Sequence, residues 1–260
     1  NIPDAYEDYE SLLSRSDIDA VYIATTHNFH YENMVEALQY GKPVLCEKAF
    51  TLTKDQAEKV FTLAKEKKLF CMEAMWSRFL PAIRKAREWV QSGKLGRIDG
   101  ANLVIGFKGD PDPKGRILNP DLAGGAMYDI GVYGIELMTY LILEKLVRVQ
   151  SEITYAESGV DKMDQIVLRF ENCIASIQTI ISCAAHGMLN IYGTEGRIYI
   201  QDPHVADHCQ LFDGKGLKED FYSRRENGFE YQIQEVMDCV RGGRLESETI
   251  PQADTIQCAE

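Results

Sequence analysis

The stretch that decides the fold is residues 20–47, Ala-Val-Tyr-Ile-Ala-Thr-Thr-His-Asn-Phe-His-Tyr-Glu-Asn-Met-Val-Glu-Ala-Leu-Gln-Tyr-Gly-Lys-Pro-Val-Leu-Cys-Glu. Its first five residues, 20–24, are almost continuously apolar, which predicts a strand buried on both faces. Residues 31–40 carry apolar side chains at helical spacing and end at Gly41, a typical helix stop. Residues 43–46 form a second apolar run. The stretch therefore predicts a strand, a helix and a second strand of one parallel sheet.

The same alternation continues to residue 76. Thr53 followed three residues later by Gln56 predicts a capping box at the start of a helix. The helix has an apolar stripe at helical spacing, formed by Ala57, Val60, Phe61 and Ala64. Residues 69–75 then predict a third strand. Residues 1–76 are accordingly assigned to one domain in which strands and helices alternate.

The pattern changes after residue 76. Pro81 predicts the start of a helix that ends at Gly93. Short turns then join β-rich runs, as in an antiparallel meander, at residues 97–108, 146–156, 160–170, 173–183, 188–194 and 196–202. A helix over residues 126–143 interrupts them, and an amphipathic helix follows near residues 229–240. Residues 77–260 therefore predict an α+β domain with a large, mostly antiparallel open sheet, and the whole chain is α/β in class.

The amino-acid composition disfavours two classes of binding partner. The 260 residues are 45% hydrophobic, enough for a substantial core. The formal charge of −12 disfavours binding to nucleic acid or to an anionic membrane surface. No apolar run approaches the ~18 to 20 residues that cross a bilayer, and the first residues lack the basic and apolar pattern of a secretion signal. We expect neither a nucleic-acid nor a membrane partner.

Seven cysteines are spread through the chain without a Cys-x-x-Cys pair. Such an odd, scattered set is typical of reduced thiols and predicts a cytoplasmic protein. His204, His208 and Cys209 are the nearest approach to a metal cluster, but structural zinc needs four ligands at closer spacing. No metal is predicted.

Polar residues follow each of the three predicted parallel strands, at residues 25–30, 47–49 and 76–78. The carboxyl ends of parallel strands share one edge of a sheet, which is where open α/β sheets bind ligands. Each segment alone could be an ordinary polar loop. Lys48 has two interpretations: desolvation could lower its pKa and make it a proton carrier, or it could form an ion pair with Glu47.

A second candidate site lies at residues 124–133, Gly-Gly-Ala-Met-Tyr-Asp-Ile-Gly-Val-Tyr. Asp129 and Tyr133 are four residues apart and are therefore expected on one face of a helix. The pair could fix the helix by a buried hydrogen bond. Alternatively Tyr133 could be a general acid, provided that a cation such as Lys48 lowers its pKa.

Five motifs in order resemble one family. They are Ala-Thr-x-x-Asn-x-His (24–30), Gly-Lys-Pro-Val-Leu-Cys-Glu-Lys (41–48), Glu-Ala-Met-Trp-Ser-Arg-Phe-x-Pro (73–81), Gly-Lys-Leu-Gly (93–96) and Gly-Gly-Ala-x-x-Asp-x-Gly-x-Tyr (124–133). Together they resemble the Gfo/Idh/MocA family of NAD(P)-dependent oxidoreductases, and within it the dihydrodiol dehydrogenase branch. The resemblance covers nearly the whole chain.

The resemblance implies a Rossmann domain (here residues 1–76) followed by a substrate and dimerisation domain (77–260), with the active site between them. It implies Lys48, Asp129 and Tyr133 as catalytic residues, with Tyr133 as the acid and base. It further implies a set of residues that line NAD or NADP: Ala24, Thr25, Asn28, His30, Glu47, Lys48, Trp76 and Arg78. A homodimer or higher homo-oligomer is also implied.

Two features depart from the family pattern. Ala49 stands where the family usually has proline, a change in turn shape and not in chemistry. The Gly-x-Gly-x-x-Gly turn and the first two strand–helix units, roughly 60 residues, are not found in this sequence. We therefore expect the chain to be an incomplete copy of a longer protein.

The resulting hypothesis is hydride transfer between a nicotinamide and a secondary alcohol or carbonyl of a sugar, cyclic diol or related polyol. One alternative is a non-catalytic or truncated family member that acts as a regulatory or dimerisation module, because the turn that cradles the pyrophosphate is missing. Another is a non-redox lyase or hydrolase that keeps a tightly bound nicotinamide. NAD versus NADP preference is left open, because the strand that decides it is absent.

Overall fold

The structure is a computed structural model that describes residues 4–224 and 227–260. In chain order its first elements are α1 (Tyr9–Leu13), β1 (Val21–Ile23), α2 (His30–Gln39), β2 (Val44–Glu47), α3 (Lys54–Lys67), β3 (Cys71–Ala74), α4 (Pro81–Gln91) and β4 (Ile98–Gly106). A π-helix (Met127–Gly131) leads into α5 (Val132–Leu141). The remaining elements are β5 (Leu146–Tyr155), β6 (Asp161–Phe170), β7 (Ile174–Ile180), β8 (Met188–Gly193), β9 (Arg197–Gln201), β10 (His208–Asp213), β11 (Gly216–Tyr222), α6 (Phe229–Arg241) and α7 (Gln252–Cys258).

The chain forms two compact units. The first unit contains residues 1–74 and 233–260, and the second contains residues 75–232. The sequence analysis divided the chain once, at residue 76, and assigned residues 77–260 to a single domain. The structure thus differs for the last 28 residues, which return to the first unit.

The first unit is built on a parallel sheet in the order β1-β2-β3, as the alternating pattern predicted. Both its predicted helices and all three strands are present within a few residues of their expected limits. Thr53 caps α3 by accepting the backbone N–H of Gln56 at 3.3 Å, while the Gln56 side chain accepts from the N–H of Leu52 at 3.1 Å. The core lies between this sheet and helices α2 and α3, with Met34, Val44, Val60 and Phe61 fully or almost fully buried.

The return of the carboxyl-terminal segment has a local physical basis. The N–H of Cys71 donates to the carbonyl of Leu245 at 3.3 Å, which uses a backbone donor at the start of β3. Ile256 of α7 packs against the apolar core of the first unit. Sequence patterns report neighbours along the chain, so a contact between residues so far apart could not be read from them.

The second unit is built on an eight-stranded sheet in the order β11-β10-β9-β8-β4-β7-β6-β5. Every pairing is antiparallel except that of β4 with β7, which is parallel. The predicted fold class is therefore confirmed. Strands β10 and β11 were not predicted. For β11 the reason is its position at the sheet edge, where charged and polar residues give a weak strand pattern.

Helix α5 covers the middle of this sheet. A Cβ added at Gly134 would lie 2.6 Å from the side chain of Ile177 on β7, so the absence of a side chain allows the close approach. The sequence predicted one continuous helix over residues 126–143; the structure instead begins with the π-helix. Among the described residues, no helix has the length and apolar character needed to cross a bilayer.

Candidate functional site

The segment after β1 presents small polar side chains at the carboxyl edge of the first unit's sheet. Ala24 is exposed, and Thr25 and Asn28 are partly exposed. The hydroxyl of Thr26 donates to Asn28 Oδ1 at 2.7 Å, and Asn33 Nδ2 donates to the hydroxyl of Thr25 at 3.2 Å. This segment therefore keeps accessible hydrogen-bonding groups in a defined arrangement.

His30 differs from these neighbours because it is fully buried. Its Nδ1 lies 2.8 Å from the carbonyl of Ala49, and its Nε2 lies 3.1 Å from the carbonyl of Thr25. Burial lowers the pKa of His30, and the two carbonyl contacts oppose that effect. Both ring nitrogens face the backbone, so His30 joins the segment after β1 to the turn after β2. Its contact with the dinucleotide stays a prediction.

The turn after β2 carries Glu47 and Lys48, both partly exposed. The hydroxyl of Tyr22 donates to Glu47 Oε1. The backbone N–H of Lys48 donates to Glu47 Oε2 at 3.3 Å. Glu47 is thus held by β1 on one side and by its own turn on the other.

Glu73 holds the end of the turn that follows Lys48. The sequence analysis did not assign this residue to the site. This side chain on β3 is buried, with Oε1 accepting the N–H of Phe50 at 3.1 Å and Oε2 accepting the hydroxyl of Thr255 at 3.0 Å. The available signal was an acidic residue inside an apolar run, since buried carboxylates need partners. Together His30 and Glu73 hold both residues that follow Lys48.

Tyr133 is the centre of an aromatic cluster in the second unit. Trp76 Nε1 lies 2.9 Å from the hydroxyl oxygen of Tyr133. The Trp76 ring stacks on Phe229 with 4.6 Å between centroids, and the ring of His204 lies 5.7 Å from that of Tyr133. Phe229 and His204 were not predicted here, because neither belongs to a local motif.

The bond between Trp76 and Tyr133 has a defined direction. An indole nitrogen is a donor only, so the oxygen of Tyr133 must be the acceptor. The hydroxyl proton of Tyr133 is not used in this bond. A phenol that accepts one hydrogen bond while keeping its own proton for another acceptor is suited to proton transfer.

Asp129 lies on the π-helix and is buried, with only 5% of its surface exposed. Its Oδ1 accepts a hydrogen bond from Arg116 Nη1 at 2.8 Å. Asp129 therefore pairs with an arginine, and the hydrogen bond with Tyr133 that the sequence analysis considered stays a prediction. This ion pair keeps a negative charge close to the start of α5.

Arg78 is fully buried in the second unit. Its Nη2 lies 2.5 Å from Glu136 Oε2, which is also fully buried, and its guanidinium stacks over Tyr140 at 4.9 Å. Arg78 thus ties the short helix Trp76–Phe79 to α5. The guanidinium of Arg78 is thus engaged within the second unit, and its contact with the dinucleotide stays a prediction.

Comparison with known proteins identifies the family. Residues 1–75 match the family model for an oxidoreductase family with an NAD-binding Rossmann fold, and residues 83–199 match the GFO/IDH/MocA C-terminal domain. A D-xylose 1-dehydrogenase (NADP(+)) of Hypocrea jecorina is 31% identical over 98% of this chain and 74% of its own length. A trans-1,2-dihydrobenzene-1,2-diol dehydrogenase of Xenopus laevis is 30% identical over 98% of this chain and 79% of its own length.

A solved structure agrees with these matches. The aldose-aldose oxidoreductase from Caulobacter crescentus, complexed with glycerol, superposes with a TM-score of 0.88 at 25% identity. The superposition covers 98% of this chain and 78% of that one. The chain belongs to the Gfo/Idh/MocA family. The predicted class, an oxidoreductase that uses NAD or NADP, is confirmed, and the similarity to dihydrodiol and xylose dehydrogenases supports the predicted branch.

Proposed function

We propose that this protein transfers a hydride between a nicotinamide and the secondary alcohol or carbonyl carbon of a sugar, cyclic diol or related polyol. The names of the relatives support this substrate class, because they act on xylose and on a cyclic diol. The observation that carries the proposal is the hydrogen bond from Trp76 to the hydroxyl oxygen of Tyr133. It supports the proposal because the Tyr133 oxygen accepts a hydrogen bond of defined direction beside an aromatic surface.

Tyr133 is the proposed proton carrier. During oxidation it takes the proton of the substrate hydroxyl while the C–H bond gives up its hydride and the C=O bond forms. During reduction it returns the proton to the carbonyl oxygen. The Trp76 N–H stabilises the negative charge that Tyr133 carries after losing its proton, since hydrogen bonds to charged groups are stronger than neutral ones.

Lys48 and Asp129 have supporting catalytic roles in the proposal. Lys48 supplies a positive charge for the reacting oxygen, and its position is held by His30 and Glu73 through the next two residues. Asp129 orients the substrate hydroxyls, while Arg116 keeps its carboxylate in place. Each role is supported by the family motif and by the contacts that hold the residue within its own unit.

The residues present fit a dinucleotide. Thr25, Asn28 and Glu47 offer partly exposed polar groups at the carboxyl ends of β1 and β2, the edge where such cofactors bind. Ala24 is exposed and small, which leaves room for close approach. Trp76 is buried, and its proposed contact with the nicotinamide is supported by the family motif alone. A bound nicotinamide donates or accepts the hydride at C4. Residues 1–76 are accordingly proposed to bind the cofactor and residues 77–260 to bind the substrate, although the last 28 residues pack within the first unit.

The first test is a pair of variants with a cofactor titration. Tyr133→Phe removes the proton carrier, so kcat is expected to fall by about 10² to 10⁴. Quenching of tryptophan fluorescence by NADH and NADPH should keep the same affinity, because the hydroxyl does not bind the cofactor. Lys48→Met should lower kcat as well, and the double variant should be no slower than about the slower single variant, as for groups that act in one step.

Tyr192→Phe is the matched control, because Tyr192 lies on β8 with its hydroxyl bonded to Asn102. It should leave kcat unchanged. A Tyr133→Phe protein with the kcat of the wild type would remove Tyr133 from the mechanism. The titration also names the preferred cofactor.

Neither rival function is favoured by the relatives. A non-catalytic module would bind neither NADH nor NADPH and would show no turnover with either cofactor. A non-redox lyase or hydrolase would convert substrate without net consumption of NADH or NADPH. Measuring the stoichiometry of cofactor consumed to product formed separates the three.

We also propose a homodimer in the cytoplasm. An apolar stripe on the edge strand β5, formed by Val147, Val149, Ile153 and Tyr155, is exposed. None of the seven cysteines is joined in a disulfide in the described part of the chain, which is compatible with a reducing compartment.

A further inference from the structure

Two carboxyl groups of β6, Asp161 and Asp164, lie beneath the start of the π-helix. Asp164 is fully buried, and its Oδ2 accepts the hydroxyl of Thr179 on β7 at 2.7 Å. In the described part of the chain, no donor reaches its other oxygen, Oδ1. A buried carboxylate oxygen without a donor is costly, so the group gains from carrying a proton itself.

Asp161 supplies the acceptor for that proton, since the two carboxyl groups are hydrogen-bonding neighbours. Two ionised carboxylates have no donor between them, whereas a neutral Asp164 can donate to an ionised Asp161. A single proton shared by the pair would therefore satisfy both carboxyl groups. This arrangement is a known way to keep a buried carboxyl group neutral.

The other contacts of Asp161 reach the segment that enters the π-helix. Its Oδ2 accepts the backbone N–H of Met127 at 2.5 Å. A Cβ added at Gly125, whose φ is +121°, would lie 2.0 Å from its Oδ1. The carboxylate thus occupies the space that a side chain at residue 125 would fill. Asp161 fixes both the backbone and the path of the chain at this point.

This segment carries the groups assigned above to catalysis. The N–H of Asp129 donates to the carbonyl of Gly125 at 3.2 Å, and Tyr133 follows one helical turn later. We propose that Asp161 is a positioning residue for Asp129 and Tyr133, and that a hydrogen bond from the Asp164 carboxyl group keeps Asp161 in place. The proposal rests on the proposed function, because it concerns the same catalytic groups.

Electrostatics agree with the geometry. Burial raises the pKa of Asp164 to about 6; the hydrogen bond from Thr179 opposes this, and the charge of Asp161 adds to it. Tyr128 on the π-helix is a titratable group that interacts with Asp161, and its pKa is raised by burial first and by Asp161 second. Asp129 lies on the same helix, with its charge matched by Arg116 at 2.8 Å.

Two effects of pH follow. The pKa of Asp164 is higher in the folded protein than in the unfolded chain, so the folded state binds more protons. Its contribution to stability is therefore complete at low pH and is lost as the pH rises from about 4 to about 6. Above this range the pair carries two negative charges, which repel each other and disturb the contact with Met127.

Asp164→Asn provides the main test, because its amide donates to Asp161 at every pH. The variant should not lose stability across this range, whereas the wild type should. The ratio of its kcat to that of the wild type should rise at least about threefold between about pH 5 and about pH 7. Urea unfolding and steady-state kinetics measure the two quantities.

Asp161→Ala is the second variant. Loss of the acceptor for Met127 should lower kcat about tenfold to a hundredfold, while the affinity for NADH or NADPH stays unchanged. Asp161→Asn, which keeps an oxygen acceptor, should recover part of that loss. Asp99→Asn on β4 is the control, because Asp99 is exposed and pairs with Arg97, and it should match the wild type in every assay.

The outcomes are distinct. A wild type without turnover overturns the proposed function and this positioning role together. An active wild type, with Asp161→Ala retaining full kcat and Asp164→Asn retaining the wild-type pH profile, overturns the positioning role alone. An unfolding profile of Asp164→Asn parallel to that of the wild type overturns the shared proton.

Discussion

At the scale of single residues, the reactive part of Tyr133 is its oxygen, and Trp76 determines the environment of that oxygen. The indole N–H donates to it at 2.9 Å. Replacing the indole by a phenyl ring keeps an aromatic surface for Phe229 but removes the donor. The negative charge on Tyr133 then loses a hydrogen bond that contributes about 1.5 to 3 kcal/mol.

The prediction for Trp76→Phe is therefore a change in pH profile. The pH at which alcohol oxidation reaches half of its maximal kcat should rise by about one to two units. Trp89→Phe is the matched control, because the other tryptophan donates to Glu219 Oε2 at 3.1 Å. An unshifted profile in Trp76→Phe would show that the bond does not tune Tyr133.

At the scale of elements, the buried ion pair between Arg78 and Glu136 joins the short helix of Trp76 to α5. Burying two charges costs free energy that their attraction only partly returns, and removing one partner leaves the other uncompensated. The single variants Arg78→Met and Glu136→Leu should each lose about 3 to 5 kcal/mol of unfolding free energy. The double variant, with an apolar pair, should recover most of that loss.

Urea unfolding of the wild type, the two single variants and the double variant gives the coupling energy between Arg78 and Glu136 directly. If the double variant were as unstable as either single one, the pair would not be an isolated charge pair. Retained kcat in the double variant would show that packing suffices to hold Trp76 against Tyr133. A lowered kcat with normal stability would assign the pair a positioning role.

The sequence predicted elements well where several signals coincided. The helix that begins after Thr53 has a capping box and an apolar stripe, and it is present as α3. The π-helix at Met127 has no such signal, because its residues also suit an α-helix. Strand β11 consists largely of polar residues at the sheet edge, so its pattern is weak.

The site residues likewise divide into those that a sequence motif identified and those that it did not. Motif positions such as Lys48 and Tyr133 could be assigned by resemblance, since their order along the chain carries the information. The burial of His30 and Arg78 could not, because it depends on carbonyls and carboxylates from other segments. Asp161 and Asp164 were missed for the same reason: their partners are the backbone of Met127 and the hydroxyl of Thr179.

At the scale of the whole molecule, β5 is an edge strand with apolar side chains on one face. Val147 and Tyr155 are each 61% exposed, and Val149 and Ile153 lie between them at alternate positions. Exposed edges of this kind favour association, and a net charge of −12 does not prevent it locally. In the proposed homodimer, a second copy of the chain covers this apolar stripe.

Val149→Lys should therefore convert the dimer to a monomer, because the interface would bury an unpaired charge. Light scattering after size-exclusion chromatography measures the change as a halved mass. Gln150→Lys is the matched control, since the next residue along β5 points to the opposite face of the strand. If only Gln150→Lys dissociated the protein, the opposite face of the sheet would be the interface, and the apolar stripe would need another explanation.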